Sequence, residues 1–409
     1  MEGRGLIRTL RIKNLLSFGS DGEEIALEPL NVLIGPNASG KSNLIEAIGT
    51  LRATPKDLTA PIREGGGISE WLWKGGKATP TAEIEATVFY PEGIMPLRYR
   101  LCFTMVGQRL ELVDEVVENE RPNIDATDVY FFYRYQHGRP ALNVRPMSGG
   151  QVTATAGTDV GRARRYLRRE DLSPEQSVLS QRKDPDQYPE ITYLGNMFAS
   201  IRLYREWNLG RYTPPRLPQK ADLPGDFLLE DASNLGLVLN GLQNKPGTRR
   251  LIIENLRQFY DGVDDITTGI EGGTVQVFLH EKGLNQPIPA TRLSDGTLRY
   301  LCLLTLLCHP TPPPLLCIEE PELGLHPDIL TTIAELLLEA SQRTQLIVTT
   351  HSDALVSALT ETPESVLVCE HDAAGTHLRR LEAERLEKWL EKYALGELWR
   401  MGEIGGTRW

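Results

Sequence analysis

The sequence predicts an α/β fold: a mixed sheet around a phosphate-binding loop, an antiparallel β lobe beside it, and a mainly helical insertion without a long coiled coil. Three observations lead there. Gly35-Pro36-Asn37-Ala38-Ser39-Gly40-Lys41-Ser42 matches G-x-x-x-x-G-K-[ST] between an apolar run, Val32-Leu33-Ile34, and a helix-like run, 43–48; strand–loop–helix is the setting that gives the match meaning. From 81 to about 155 apolar residues recur at alternate positions, the period of strands. From Leu293 onward short apolar runs alternate with helical patterns, the texture of a parallel sheet.

Taken in order, 6–13, 24–28 and 31–35 read as strands, the first two joined too closely for a crossover helix and therefore antiparallel. The helix from Lys41 runs to about Ala53, before Pro55. Meander strands are expected at 82–89, 97–106, 109–118 and 129–135, then helices at 188–207, 234–242 and 248–260. Strands near 265–270 and 274–281 follow, and then a helix through 297–308, a strand at 315–318, a helix at 327–340 and a strand at 345–350. No heptad pattern persists long enough for a coiled-coil arm.

The composition, 409 residues with 40% hydrophobic and 24% charged, is that of a globular chain with two or three cores. No apolar run is long enough for a membrane helix and no export signal opens the chain, so a cytoplasmic protein is expected. Cys102, Cys302, Cys308, Cys317 and Cys369 lie scattered in apolar stretches without metal-site spacing and read as buried thiols. A net charge of −11 argues against a surface that coats nucleic acid, although a local basic face remains open.

The chemistry sits in four places. Loop N–H groups and the start of the helix can cradle phosphates, Lys41 can reach the β- and γ-phosphates, and the Ser42 hydroxyl can hold Mg²⁺. Leu293-Ser294-Asp295-Gly296-Thr297 is, alone, only a capped helix start. Leu315–Ile318 ends in Glu319-Glu320-Pro321, acids at the sheet edge where α/β folds bind ligands. Glu319 can hold Mg²⁺ and Glu320 can polarise an attacking water. His351 closes the last strand, where a neutral ring could hydrogen-bond the γ-phosphate or the water.

In this order the motifs resemble the ATP-binding-cassette (ABC) ATPase head: Walker A, signature, Walker B with the D-loop region Glu322–Pro327, and the switch histidine. Leu-Ser-Asp-Gly-Thr and Glu-Glu-Pro-Glu-x-x-x-His-Pro place the resemblance in the RecF/SMC-like branch, among stand-alone AAA-family ATPases similar to the ATPase part of OLD-family nucleases. It covers about 1–60 and 265–370. The resemblance implies Mg-dependent ATP hydrolysis in a sandwich of two heads, Ser294, Gly296 and Thr297 acting in trans on ATP held by Gly35–Ser42. Glu319 departs from the family's aspartate. For the family's Mg²⁺-sensing Q-loop glutamine the candidate is Gln181, with an ordinary exposed glutamine as the alternative.

The expected organisation is 1–155, the N-terminal half of the head with the β lobe; 156–262, the insertion; and 263–409, the C-terminal half. The expected function is ATP-dependent dimerisation, or higher assembly, in DNA repair and maintenance or anti-phage defence. The long span from Gly35 to Ser294 disfavours the alternative of a membrane transporter's nucleotide-binding subunit. A slow ATP-switched scaffold without DNA contact is the other alternative. No HNH-like or Asp-x-Asp cluster follows His351, so nuclease activity is expected from a separate effector protein. The arginine run Arg162–Arg169 fits DNA phosphates, a solvated face or a dock for an acidic partner. The Trp-rich stretch from Leu395 fits packing either on its own head or on another protomer.

Overall fold

In the computed structural model, which describes residues 5–123, 127–136, 139–144, 163–167 and 172–406, the phosphate-loop strand lies inside a parallel sheet. The chain opens with the antiparallel pair β1 (Ile7–Lys13) and β2 (Glu23–Ala26), then β3 (Leu30–Ile34) and α1 (Lys41–Ala53). Two short helices follow, α2 (Thr59–Glu64) and α3 (Ile68–Trp71). The meander comprises β4 (Ala82–Val88), β5 (Leu97–Val106), β6 (Arg109–Asn119), β7 (Phe131–Gln136), β8 (Arg139–Val144) and β9 (Ala163–Tyr166). Next come α4 (Val178–Gln181), α5 (Pro189–Ala199), β10 (Arg202–Tyr204), β11 (Gln219–Lys220), α6 (Leu235–Gln243) and α7 (Pro246–Phe259). The chain continues through β12 (Val263–Glu271), β13 (Thr274–Glu281), β14 (Ile288–Pro289), α8 (Asp295–Leu307) and β15 (Leu315–Glu319). It then forms α9 (Leu330–Ser341), β16 (Gln345–Thr349), α10 (Asp353–Ser357), β17 (Val366–Asp372), β18 (Gly375–Arg380), α11 (Ala383–Leu390) and α12 (Leu395–Arg400).

Among the described residues the core sheet has the order β10-β15-β16-β3-β17-β18, parallel except for the β17–β18 hairpin. Its central strands are apolar because both faces are covered. Val32, Ile34, Leu316, Ile318 and Val348 join the core formed with α6 to α9. Their alternates Leu33, Leu315, Cys317 and Ile347 face α1, α5 and the lobe, an eight-stranded sheet of β1, β2 and the meander. The period of two thus divides one sheet between two cores.

Two segments differ from the sequence expectation. The helix expected over 188–207 stops at Ala199, and Arg202–Tyr204 becomes β10, parallel to β15. The sheet edge offers that backbone a ladder, and tertiary pairing overrides local pattern. The meander runs on through β8 and β9, so Arg164 and Arg165 lie on a strand; Arg162, Arg168 and Arg169 fall outside the described residues. The expected insertion is therefore stitched into all three sheets of the described residues: β9 into the lobe, β10 into the core sheet and β11 into a small sheet with β12, β13 and β14.

Among the described residues the longest helix, α7, has 14 residues, and no helix is long and apolar enough to cross a membrane. All five cysteines are free and buried. Residues 395–406 pack on their own head, with 407–409 outside the described residues: Leu395 and Leu398 are buried, Trp399 Nε1 donates to Gly406 O at 3.1 Å, and Gly406 N donates to Glu370 Oε1 at 3.0 Å.

Glu115 ties the lobe to α4. Its buried carboxylate accepts from Tyr99 OH at 2.8 Å, Val178 N at 2.9 Å and Ser177 Oγ. Burial pushes its pKa up to about 7 despite these donors. A carboxyl whose folded pKa lies above its unfolded one binds protons more tightly when folded. Stability should therefore fall as pH rises from the ordinary carboxylate range through about 7, then level off. Melting temperature against pH checks this: Glu115→Gln, with no proton to exchange, should lose that part of the slope.

Candidate functional site

Two glycines shape the phosphate loop. Gly35 has φ +150°, and a Cβ there would stand 2.3 Å from Cys369 O. Gly40 has φ +105°, and its Cβ would stand 2.2 Å from Thr376 Oγ1. Behind the loop Thr376 Oγ1 lies 2.9 Å from Ser39 O and 2.7 Å from Ser17 Oγ, which also accepts from Asn43 Nδ2 at 2.7 Å. The β17–β18 hairpin therefore buttresses a loop more than three hundred residues away, as the 337-residue Thr376–Ser39 separation shows.

Pro36 is partly buried and Asn37 and Ala38 form the exposed crest, with Ala38 at φ +64°. Lys41 is buried, and Nζ donates to Gly35 O at 2.8 Å and Pro36 O at 3.0 Å. Burial lowers its pKa against the pull of nearby Glu320 and Glu322. Ser39 Oγ is buried without a hydrogen-bond partner among the described residues. A glycine cradle, a cation held over it and a spare hydroxyl fit a polyphosphate.

Ser42 Oγ donates to Glu319 Oε2 at 2.9 Å, joining the start of α1 to the end of β15. Glu319 Oε1 lies 3.5 Å from Arg205 Nε, while Arg205 Nη1 bonds Glu46 Oε1 at 2.5 Å. Burial raises the Glu319 pKa, and the Ser42 hydrogen bond and Arg205 oppose it. A hydroxyl beside one carboxylate suits Mg²⁺, which relies on few protein oxygens when phosphates supply others. No cluster of three or more His, Cys, Asp or Glu able to hold a metal occurs among the described residues. A groove of about 1010 Å³ opens at this edge and includes Ser42, Arg205, Glu319 and Glu320.

Glu320 follows β15 with φ +46°, a left-handed conformation that a non-glycine residue adopts at a cost. Its N–H donates to Thr349 O at 2.9 Å, and its Oε1 lies 3.7 Å from His351 Nε2. Burial, then Lys41, lower the His351 pKa, which keeps the imidazole neutral near pH 7. Glu322 Oε1 accepts from Thr350 Oγ1 at 2.7 Å and His351 N at 2.8 Å, fixing the histidine's backbone.

Ser294 caps α8, accepting from Thr297 N at 3.0 Å, and is exposed. A Cβ on Gly296 would stand 2.9 Å from Gly324 O, so this turn packs on the loop after Walker B. Among the described residues no hydrogen bond joins Ser294, Gly296 or Thr297 to Gly35–Ser42 of the same chain.

Gln181 is a correction. Its carboxamide accepts from Ser173 N at 2.7 Å and donates to Gln176 O at 2.7 Å, closing a turn in the lobe rather than reaching Ser42 or Glu319. The residue beside Glu319 at this sheet edge is Arg205, just after β10. Sequence reasoning missed it, along with Glu46, Thr376 and Ser17. The pair Arg205-Glu206 after Ile201-Arg202-Leu203-Tyr204, apolar but for Arg202, was the available signal.

A family model described as "AAA domain, putative AbiEii toxin, Type IV TA system" matches residues 30–137 and 157–357. The DNA replication and repair protein RecF of Staphylococcus haemolyticus is 26% identical over 206 residues, 48% of this chain and 51% of that protein. RecF of Staphylococcus aureus strain JH9 is 27% identical over 187 residues, 44% and 46% of the two. The chain thus spans about half the length of the curated relatives it matches. Among solved structures, an Smc head bound to the C-winged helix domain of ScpA shares the fold with TM-score 0.56 and 15% identity, over 93% of this chain and 99% of that one. The Pyrococcus furiosus Smc head with an extended coiled coil, bound to the C-terminal domain of ScpA, gives 0.55 and 13%, over 95% and 99%.

Proposed function

The chain belongs to this AAA-domain family and is an ABC-type ATPase of the RecF/SMC-like branch; from that premise we propose that it hydrolyses ATP at a composite site completed by a second copy of itself. One observation carries the reading. Ser42, Glu319, Glu320 and His351 converge at neighbouring strand ends, while the capped turn at Ser294 is exposed and, among the described residues, makes no hydrogen bond to Gly35–Ser42 of its own chain.

In this reading Gly35–Ser42 wraps the phosphates and Lys41 leaves its carbonyl partners to meet them. Ser42 and Glu319 would hold Mg²⁺, whose charge draws off developing negative charge on phosphate oxygens. Glu320 takes a proton from the attacking water, and neutral His351 holds that water or the γ-phosphate by a hydrogen bond. Ser294, Gly296 and Thr297 offer helix-start N–H groups to the partner's ATP. Residues 1–155 and 263–409 are the two halves of the head, with 156–262 between them.

The RecF likeness supports work in DNA maintenance. The family's toxin–antitoxin description supports defence together with a separate effector protein. The Arg164–Arg165 strand and its neighbours are the candidate DNA contact.

Light scattering tests the assembly. The wild-type particle should double in mass with a non-hydrolysable ATP analogue. Ser294→Arg should bind the analogue but remain single, because it damages only the surface offered to the partner. Equal assembly by both proteins would overturn the trans reading.

A further inference from the structure

A residue outside every motif holds the signature turn. Arg216 lies between β10 and β11 in Thr213-Pro214-Pro215-Arg216-Leu217-Pro218, with 7% of its side chain exposed. Its Nε donates to Leu209 O at 2.7 Å, its Nη1 to Leu293 O and, at 3.4 Å, to Ala290 O, and its Nη2 to Asp295 Oδ1. A buried guanidinium must find partners for its planar fork of donors, and here it finds them on both sides of one residue. Leu293 precedes Ser294 and Asp295 follows it. Ser294 is left free to cap α8 through Thr297 N.

The clamp is stiff at its other end too. Arg216 N donates to Thr213 O at 3.0 Å in a turn flanked by prolines, which limit backbone freedom. Leu209 belongs to the segment that begins at Arg205, beside Glu319. Asp295 is the exposed partner, its side chain 74% open to solvent, so the pair costs little desolvation on that side while the guanidinium is locked.

We propose that Arg216 is a positioning residue for the trans-acting signature: it sets Ser294, Gly296 and Thr297 in the geometry that meets ATP held by a second copy of this chain. The inference rests on the composite-site reading. Lysine at this position keeps the charge but cannot reproduce the fork. Arg216→Lys should therefore bind ATP at its own loop as the wild type does, yet weaken ATP-driven dimerisation about tenfold or more.

The experiment has two arms. In the first, Glu320→Gln and Arg216→Lys/Glu320→Gln are compared for ATP binding and for mass with ATP. If the parent dimerises and the double variant dimerises equally well, the inference about Arg216 fails while the composite site stands. If the parent itself shows no ATP-dependent assembly, the composite-site reading fails and takes this inference with it. In the second arm, Arg216→Lys is mixed with Lys41→Ala. Each should be poorly active alone, but a mixed dimer joins the intact loop of one to the intact signature of the other. Recovery of hydrolysis on mixing supports positioning in trans. A loss that mixing does not repair means Arg216 serves only its own fold, and overturns the proposal.

Discussion

Glu320→Gln should lower ATP turnover about 10²–10⁴-fold, the span that general acid–base catalysis supplies, while leaving ATP bound and the two heads joined. Glutamine keeps the shape of the side chain but cannot take a proton. The backbone should tolerate it: at this φ of +46° the Glu320 N–H donates to Thr349 O whichever of the two side chains the residue carries. Phosphate release measures the first effect, and light scattering with ATP the second. Turnover within a few-fold of wild type would remove Glu320 from the chemistry. His351, 3.7 Å away, would then need testing as the proton acceptor.

Gly40→Ala should cost stability and ATP affinity together. The new Cβ meets Thr376 Oγ1 at 2.2 Å, Thr376 Cγ2 at 2.7 Å and Ser17 Oγ at 2.9 Å, at a φ of +105°. Thr376 is nearly buried and spends its hydroxyl on Ser39 and Ser17, so it cannot swing aside freely. Overpacking of this kind costs about 1–3 kcal/mol and backbone strain about as much again. Calorimetry of ATP binding and a thermal melt read both losses. Gly40→Ala/Thr376→Ala, read against Thr376→Ala alone so that the lost Thr376 hydrogen bonds cancel, separates them: without the Thr376 side chain Gly40→Ala should lose most of the overpacking cost and keep the backbone part. If Gly40→Ala costs as much beside Thr376→Ala as it does alone, the hairpin is not what confines the loop.

The phosphate loop was legible because its evidence is local. Val32–Ile34, the two glycines and Lys41-Ser42 sit within a few residues of one another, and the strand and α1 follow directly. The placement of Glu319, Glu320 and His351 at neighbouring strand ends was legible through a different signal, polar residues following apolar runs. Arg205 was not. Ile191, Leu194, Phe198 and Ile201 keep nearly helical spacing, so the pattern runs on past Ala199, where pairing with β15 takes over. Thr376 and Ser17 were invisible for another reason. They matter only because a hairpin and a turn from opposite ends of the sequence meet behind the loop. Gln181 shows the converse: a plausible residue type in a suitable stretch, committed in three dimensions to its own turn.

The order β16-β3-β17 has a consequence for how the molecule is made. The strand bearing the phosphate loop leaves the ribosome well before its neighbour across Asn31 Nδ2 to Leu346 O, which lies 315 residues later. At about 5–20 residues per second that interval lasts roughly 15–60 s. Until β16 emerges, β3 is an apolar ribbon with both edges bare, open to mispairing and to chaperone capture. The nascent chain carries the loop's sequence long before it can carry its shape, so nucleotide cannot stabilise the early intermediates and becomes a ligand only for the closed sheet.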